Sequence, residues 1–251
     1  MNYLHRVNYI LKHPHLFLMR PKRLFMLSHM RSRSSLLSHI LGSNEDIAGY
    51  SELSINYKEK FSLVDQNIAL HEDGLKIDSK KILFDKILHN SYDFKNPSKL
   101  NRDEFMVIIM IRPPVATIKS IVTMGEKNGN AKYGNVDWAC RYYAERLTAL
   151  LSFSKKIKSY VFINSDDLVN SPDKTLARLS ALLELKSSLS REYLSFNKTG
   201  MKKFGDTSQN IKKGKIVTTQ ENNYINIPEA LSDKLVKRYL ASLDALSAGS
   251  L

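Results

Sequence analysis

The sequence predicts an α/β fold in which a central, mostly parallel β-sheet is flanked by helices, and three observations predict it. Short apolar runs alternate with longer stretches of helical spacing. One run, EFMVIIMI (Glu104–Ile111), is apolar without interruption, as expected of a strand covered on both faces. Basic and hydroxyl-rich turns follow two of the runs, at the strand ends where ligands gather in such sheets. With 251 residues, 43% of them hydrophobic and no repeat or low-complexity linker, the chain is expected to form one domain over 1–251.

In chain order, residues 1–22 form a basic segment, expected to be helical through YLHRVNYILKHPHLFLM and either packed or resting on an anionic membrane. RLFMLSH (Arg23–His29) predicts a buried strand. In SSLLSHILGS, Leu36, Leu37, Ile40 and Leu41 keep helical spacing and Gly42 is a stop. IAGYSEL (Ile47–Leu53) and KILFDKIL (Lys81–Leu88) predict a second and a third strand, and Glu104–Ile111 a fourth, ended by Arg112-Pro113-Pro114. A helix is expected after those prolines, and another over 137–156, where Trp138, Tyr142, Leu147, Leu150 and Leu151 recur at helical spacing. SYVFINSDDL supplies a further strand and turn. Ser171 then predicts an N-cap, with Pro172 at the first helical position and Asp173 in the first turn.

Lys and Arg number 38 against 25 Asp and Glu, a formal charge of +13 that favours an anionic partner. From Met1 to Arg33 there are seven basic residues and no acid, and Lys198–Lys215 holds six lysines against Asp206. Cys140 is the single cysteine, which excludes an intrachain disulfide and a cysteine-based zinc cluster and predicts a reducing, cytoplasmic setting. Charges and histidines interrupt the N-terminal apolar residues before a signal-peptide core or a membrane span forms. His13 and His15 lack further ligands nearby in the sequence and are read as incidental.

At the turn after the first strand stand Arg31, Ser32, Arg33, Ser34 and Ser35. The first N–H groups of the following helix have no internal partner and favour an anion, and guanidinium forks and hydroxyls suit phosphate or sulfate oxygens. After the fourth strand, Arg112 is followed eight residues later by Ser120, placed to grip a second anionic group. The first turn lacks the Gly-Lys-Ser/Thr ending of a nucleotide triphosphatase loop.

Together the two segments resemble the sulfotransferases that use 3′-phosphoadenosine 5′-phosphosulfate (PAPS). Met30-Arg31-Ser32-Arg33-Ser34-Ser35 is similar to the family's 5′-phosphosulfate loop, with Met30 in place of a proline and Arg33 in place of a glycine. Arg112, Pro114 and Ser120 match its 3′-phosphate signature, with Pro113 at the Asp or Asn position. Ser165-Asp166-Asp167-Leu168-Val169 before Pro172 looks like a third feature, with Ser165 in place of a tyrosine. The resemblance runs from about Leu24 to Ile216 and implies a P-loop-like sulfotransferase fold with PAPS as co-substrate and no metal. It implies cofactor contacts from Arg31, Ser32, Arg33, Ser34, Ser35, Leu36, Arg112, Ser120 and Ser165. Arg33 either adds a phosphosulfate contact or points away.

The same resemblance assigns a catalytic base to Glu52, in the Gly-x-x-Glu context of GYSEL, and cationic support to Arg31 and Lys86. The rival bases are His71, His89, His29 and His39. Residues 198–216 resemble a late basic loop that covers the cofactor, in which Ser208 would meet the sulfuryl group, and Gly205, Lys215 and the Lys202-Lys203 pair the phosphates. The expected reaction is sulfuryl transfer to a hydroxyl or amine of a carbohydrate or glycoconjugate, including a glycolipid at a membrane face. A small alcohol or phenol, or a peptide tyrosine, is the alternative acceptor. A P-loop kinase and a basic nucleic-acid-binding protein are the rivals from other classes; the chain lacks a zinc-finger spacing, an aromatic RNA-binding signature and basic heptads.

Overall fold

The computed structural model describes residues 1–201, 210–217 and 224–251. Five parallel strands, β1 (Lys22–Leu27), β2 (Ile47–Ala48), β3 (Ile82–Ile87), β4 (Phe105–Ile111) and β5 (Val161–Asn164), lie in the order β2, β3, β1, β4, β5. Parallel neighbours need crossovers, and the helices supply them on both faces. Leu24 and Met26 of β1 face one layer, with Leu37, Ile40 and Leu41 of α3 (Ser34–Gly42) and Leu176 and Leu179 of α8 (Pro172–Leu182). Phe25 and Leu27 face the other, with α5 (Pro114–Lys127), α6 (Val136–Ser154) and α9 (Glu229–Ala248). All four β1 side chains are fully buried, each worth about 1.5–3 kcal/mol of hydrophobic stabilisation.

Because β1 is flanked by β3 on one side and β4 on the other, the chain reverses its direction of winding there. The crevice outside the carboxyl end of β1 is therefore the topological switch point, where open α/β sheets bind ligands.

Three expectations change. The strand expected over Ile47–Leu53 stops at Ala48, because Gly49 takes φ +127° and passes so close to β3 that a Cβ there would lie 2.3 Å from the Phe84 carbonyl oxygen. This turn lifts Ser51 and Glu52 off the sheet. The N-terminal helix is two helices, α1 (Tyr3–Lys12) and α2 (His15–Leu18), broken where Pro14 forces His13 out of helical geometry. Ser171 holds the N-cap position of α8, but its hydroxyl accepts no capping hydrogen bond. Two helices went unread in the sequence, α4 (Ser62–Glu72) and α9; a short α7 (Asp167–Asn170) precedes α8.

Candidate active site

The loop between β1 and α3 is built by its own backbone. Arg31 and Arg33 both take left-handed conformations, φ 60° and 66°, and Arg33 is the N-cap of α3. Glycine adopts this region freely, whereas a side chain there costs about 1–2 kcal/mol. Arg33 is held by its far end: its guanidinium pairs with Asp166 and donates to the Ser165 carbonyl at 3.2 Å, beyond the end of β5. Arg33→Ala keeps the strain and loses the tie, while Arg33→Gly loses both. The glycine variant is therefore expected to be the more stable of the two by about 1 kcal/mol in denaturant unfolding.

The second segment meets this loop. The Arg31 Nε–H donates to the Ser120 hydroxyl at 2.9 Å, and the Arg112 Nη1–H donates to the Arg31 carbonyl at 3.0 Å. Residues 81 and 89 positions apart thus form one cationic and hydroxyl cluster. His29, fully buried, completes the junction: its Nδ1–H donates to the Met30 carbonyl at 2.9 Å and its Nε2 accepts the Arg112 backbone N–H at 3.0 Å. A carbonyl only accepts and an amide N–H only donates, so this pair of partners fixes the tautomer. Burial pushes the ring down to about 4, helped by the Arg112 and Arg146 cations and opposed by the Met30 carbonyl, and His29 is neutral near pH 7.

The other loop residues divide in role. Ser32 is buried, with its hydroxyl 2.7 Å from that of Ser28, so its side chain serves the loop's footing on the sheet. Ser34 is buried at the first helical position, and Ser35 accepts a hydrogen bond from Lys86 Nζ at 3.0 Å. Leu36 packs its side chain against the α3 and α8 layer. Ser165 is fully buried, its N–H bonded to the Ile111 carbonyl at 2.8 Å.

Neighbouring residues of β3 work on opposite faces of the sheet. Lys86 reaches the first turn of α3, while Asp85 accepts the Leu53 N–H at 3.0 Å and the Tyr57 hydroxyl at 2.7 Å. Asp85 thereby holds the turn that carries Glu52. Burial raises Asp85 to about 7, opposed by these hydrogen bonds and reinforced by the Glu52 charge. Burial also raises Glu52 above its ordinary value, with the Lys86 and Arg146 cations pulling it back. Glu52 is partly exposed.

Four residues of this site were not singled out in the sequence, and three lie on one helix. From α6, the Tyr142 hydroxyl accepts the Met30 N–H and donates to the Leu88 carbonyl, both at 2.8 Å. Tyr143 donates to the Arg112 carbonyl at 2.8 Å. Arg146, 1% exposed, donates to the carbonyls of Ser28 (2.7 Å) and Ile87 (2.8 Å) and to Asn90 (2.8 Å), and pairs with Asp93 at 2.5 Å. One helix thus ties together the carboxyl ends of β1, β3 and β4. Asp85 is the fourth. A signal for Arg146 existed: it lies at helical spacing with Tyr143, Leu147 and Leu150, a charge on an apolar stripe.

Of the rival bases, His89 stands beside Tyr142 with ring centroids 5.6 Å apart, and burial lowers it to about 4. His39 is occupied by the Ser35 carbonyl and Thr199. His71 lies in α4, away from the loop, where it gathers His13 and His15 at centroid distances of 4.7 and 6.0 Å; these two are therefore not isolated, as the sequence suggested. Among the described residues no group of His, Cys, Asp and Glu is placed to hold a metal ion. Lys215 is exposed, and its backbone forms an isolated antiparallel β-bridge with Glu192. Lys202, Lys203, Gly205 and Ser208 lie outside the described residues.

The all-parallel sheet, its strand order and its helical layers make up a sulfotransferase fold. Several solved structures share it. The sulfotransferase domain from the curacin biosynthetic pathway is 18% identical with a TM-score of 0.60, over 88% of this chain and 98% of that one. The sulfotransferase domain of the Synechococcus PCC 7002 olefin synthase is 16% identical with a TM-score of 0.55, over 88% and 96%. A sulfotransferase from Alicyclobacillus acidocaldarius is 12% identical with a TM-score of 0.52, over 91% and 95%. No family model matches the chain, and no curated protein matches it.

Proposed function

We propose that the protein is a sulfotransferase that moves the sulfuryl group of PAPS to a hydroxyl or amine of a carbohydrate or glycoconjugate. The observation that carries this reading is the meeting of Arg31, Arg112 and Ser120 at the switch point, beside a β3 end that presents Lys86 and anchors the Glu52 turn. The donor set fits a nucleotide bearing two separate anionic groups: guanidinium forks and hydroxyls at one end, a helix N-terminus with a buried lysine at the other.

PAPS supplies an activated sulfuryl group together with a phosphate leaving group. Arg112 and Ser120 would hold the 3′-phosphate. Arg31, Lys86 and the first-turn N–H groups at Ser34, Ser35 and Leu36 would hold the 5′ end and offset charge there without a metal. Glu52 takes the acceptor proton, and its raised pKa makes it a stronger base than an exposed glutamate. Arg33 contributes by fixing the loop through Asp166.

For the acceptor, the +13 charge suits an acidic saccharide or a glycolipid head group. A small alcohol is the second reading, favoured by similarity to domains of a curacin pathway and an olefin synthase.

Calorimetry with the product nucleotide, 3′-phosphoadenosine 5′-phosphate, tests the cofactor. Loss of a charge-assisted hydrogen bond costs about 1.5–3 kcal/mol, so Arg112→Ala is expected to bind roughly 10- to 100-fold more weakly and Ser120→Ala less severely so. Unchanged affinity in both variants would overturn the assignment.

A further inference from the structure

The N-terminal helix α1 is amphipathic in the reverse of the usual sense. Its polar side faces the protein: His5 bonds Glu72 at 2.7 Å, Arg6 forks onto Asp65 at 2.6 and 2.8 Å, and Tyr9 bonds His71 at 2.7 Å, all on α4. None of its residues is buried. Its apolar side points outward, with Tyr3 67%, Leu4 67%, Val7 36% and Leu11 76% exposed. On an α-helix, positions 3, 4, 7 and 11 fall on one face. Helix α2 extends the surface with Phe17 and Leu18, 43% and 71% exposed. A globular protein gains nothing in water from such a helix, because the residues that would drive burial are the ones left out.

The charges beside this stripe are mainly basic. Lys12 and Arg20 are exposed, and Lys58 and Lys60, with the single acid Glu59 between them, precede Phe61, over whose ring both Lys60 and Arg6 are placed. The chain carries no carboxylate before Glu45, and of the acids that α1 meets on α4, Asp65 is paired with Arg6 and Glu72 is hydrogen-bonded to His5. An exposed apolar stripe with a basic surround is complementary to the interface of an anionic bilayer, where apolar side chains enter the acyl boundary and lysines meet head groups. A second copy of the chain would instead set this positive surface against itself.

We infer that α1 and α2 form a peripheral docking surface for an anionic lipid membrane. The helix lies in the plane of the interface, as no helix among the described residues is long and apolar enough to cross a membrane. The inference stands apart from the sulfuryl-transfer reading, because it rests on a surface and is read by binding.

The test is co-sedimentation of the full chain with phosphatidylcholine vesicles, with and without phosphatidylserine, beside a Leu4→Gln/Leu11→Gln variant. Both changes are at exposed positions, and circular dichroism checks that the fold persists. Wild type is expected to partition onto phosphatidylserine vesicles at least tenfold more than the variant, with added salt weakening the binding. Equal partitioning of wild type and variant would overturn the proposal. So would a concentration-dependent dimer, lost in the variant, with no vesicle binding by wild type.

Discussion

Glu52→Gln is expected to lower sulfuryl-transfer turnover by about 10²- to 10⁴-fold, the contribution of a positioned general base, while leaving product-nucleotide affinity unchanged. The amide preserves the shape and the turn held by Asp85 but accepts no proton. The pH profile carries the same assignment. A base must be ionised to act, so wild-type turnover is expected to climb as pH rises through the Glu52 pKa. That limb lies above the ordinary glutamate value because burial outweighs the pull of Lys86 and Arg146. Lys86→Met, by removing one of those cations, is expected to move the limb to higher pH. Retained turnover in Glu52→Gln with loss in His89→Asn would transfer the role to His89, whose ring is neutral near pH 7.

The largest loss of stability is expected from Arg146→Met. Its guanidinium is buried against two strand-end carbonyls, Asn90 and Asp93, and its removal strands a largely buried carboxylate and uncovers acceptors that water reaches poorly. Breaking such a buried pair from one side costs about 3–5 kcal/mol, readable as a lower denaturant midpoint. Arg146→Lys keeps the charge without the fork and is expected to recover only part of the loss. A cost below about 1 kcal/mol for Arg146→Met would show that the strand ends hold without it.

The sheet was legible where one physical signal was undivided. Phe105–Ile111 is covered on both sides, so burial alone shaped its sequence. The β1 run and the KILFDKIL run carry the same signal. The turn at residues 28–33 was legible because an apolar run gives way to polar residues just before helical spacing begins. Legibility failed where a residue serves a distant partner. Nothing local in IAGYSEL distinguishes a strand from a turn until the Phe84 carbonyl is seen against Gly49. Arg33 has the composition of a phosphate ligand, yet its guanidinium is engaged with Asp166, 133 residues away. Tyr142, Tyr143 and Arg146 look like an ordinary amphipathic helix, and their hydrogen bonds to three different strand ends exist only once the sheet is assembled.

The ties from α6 also bear on kinetics. Met30 and Arg112 are each fastened by a tyrosine hydroxyl of the same helix, and Ser28 and Ile87 by its arginine. On the proposed reading, a cradle whose strand ends are clamped from behind meets the nucleotide already in place, and capture is expected to be governed by diffusional encounter with a positively charged surface. Association then slows with ionic strength, and differences among nucleotides fall mainly in their dissociation rates.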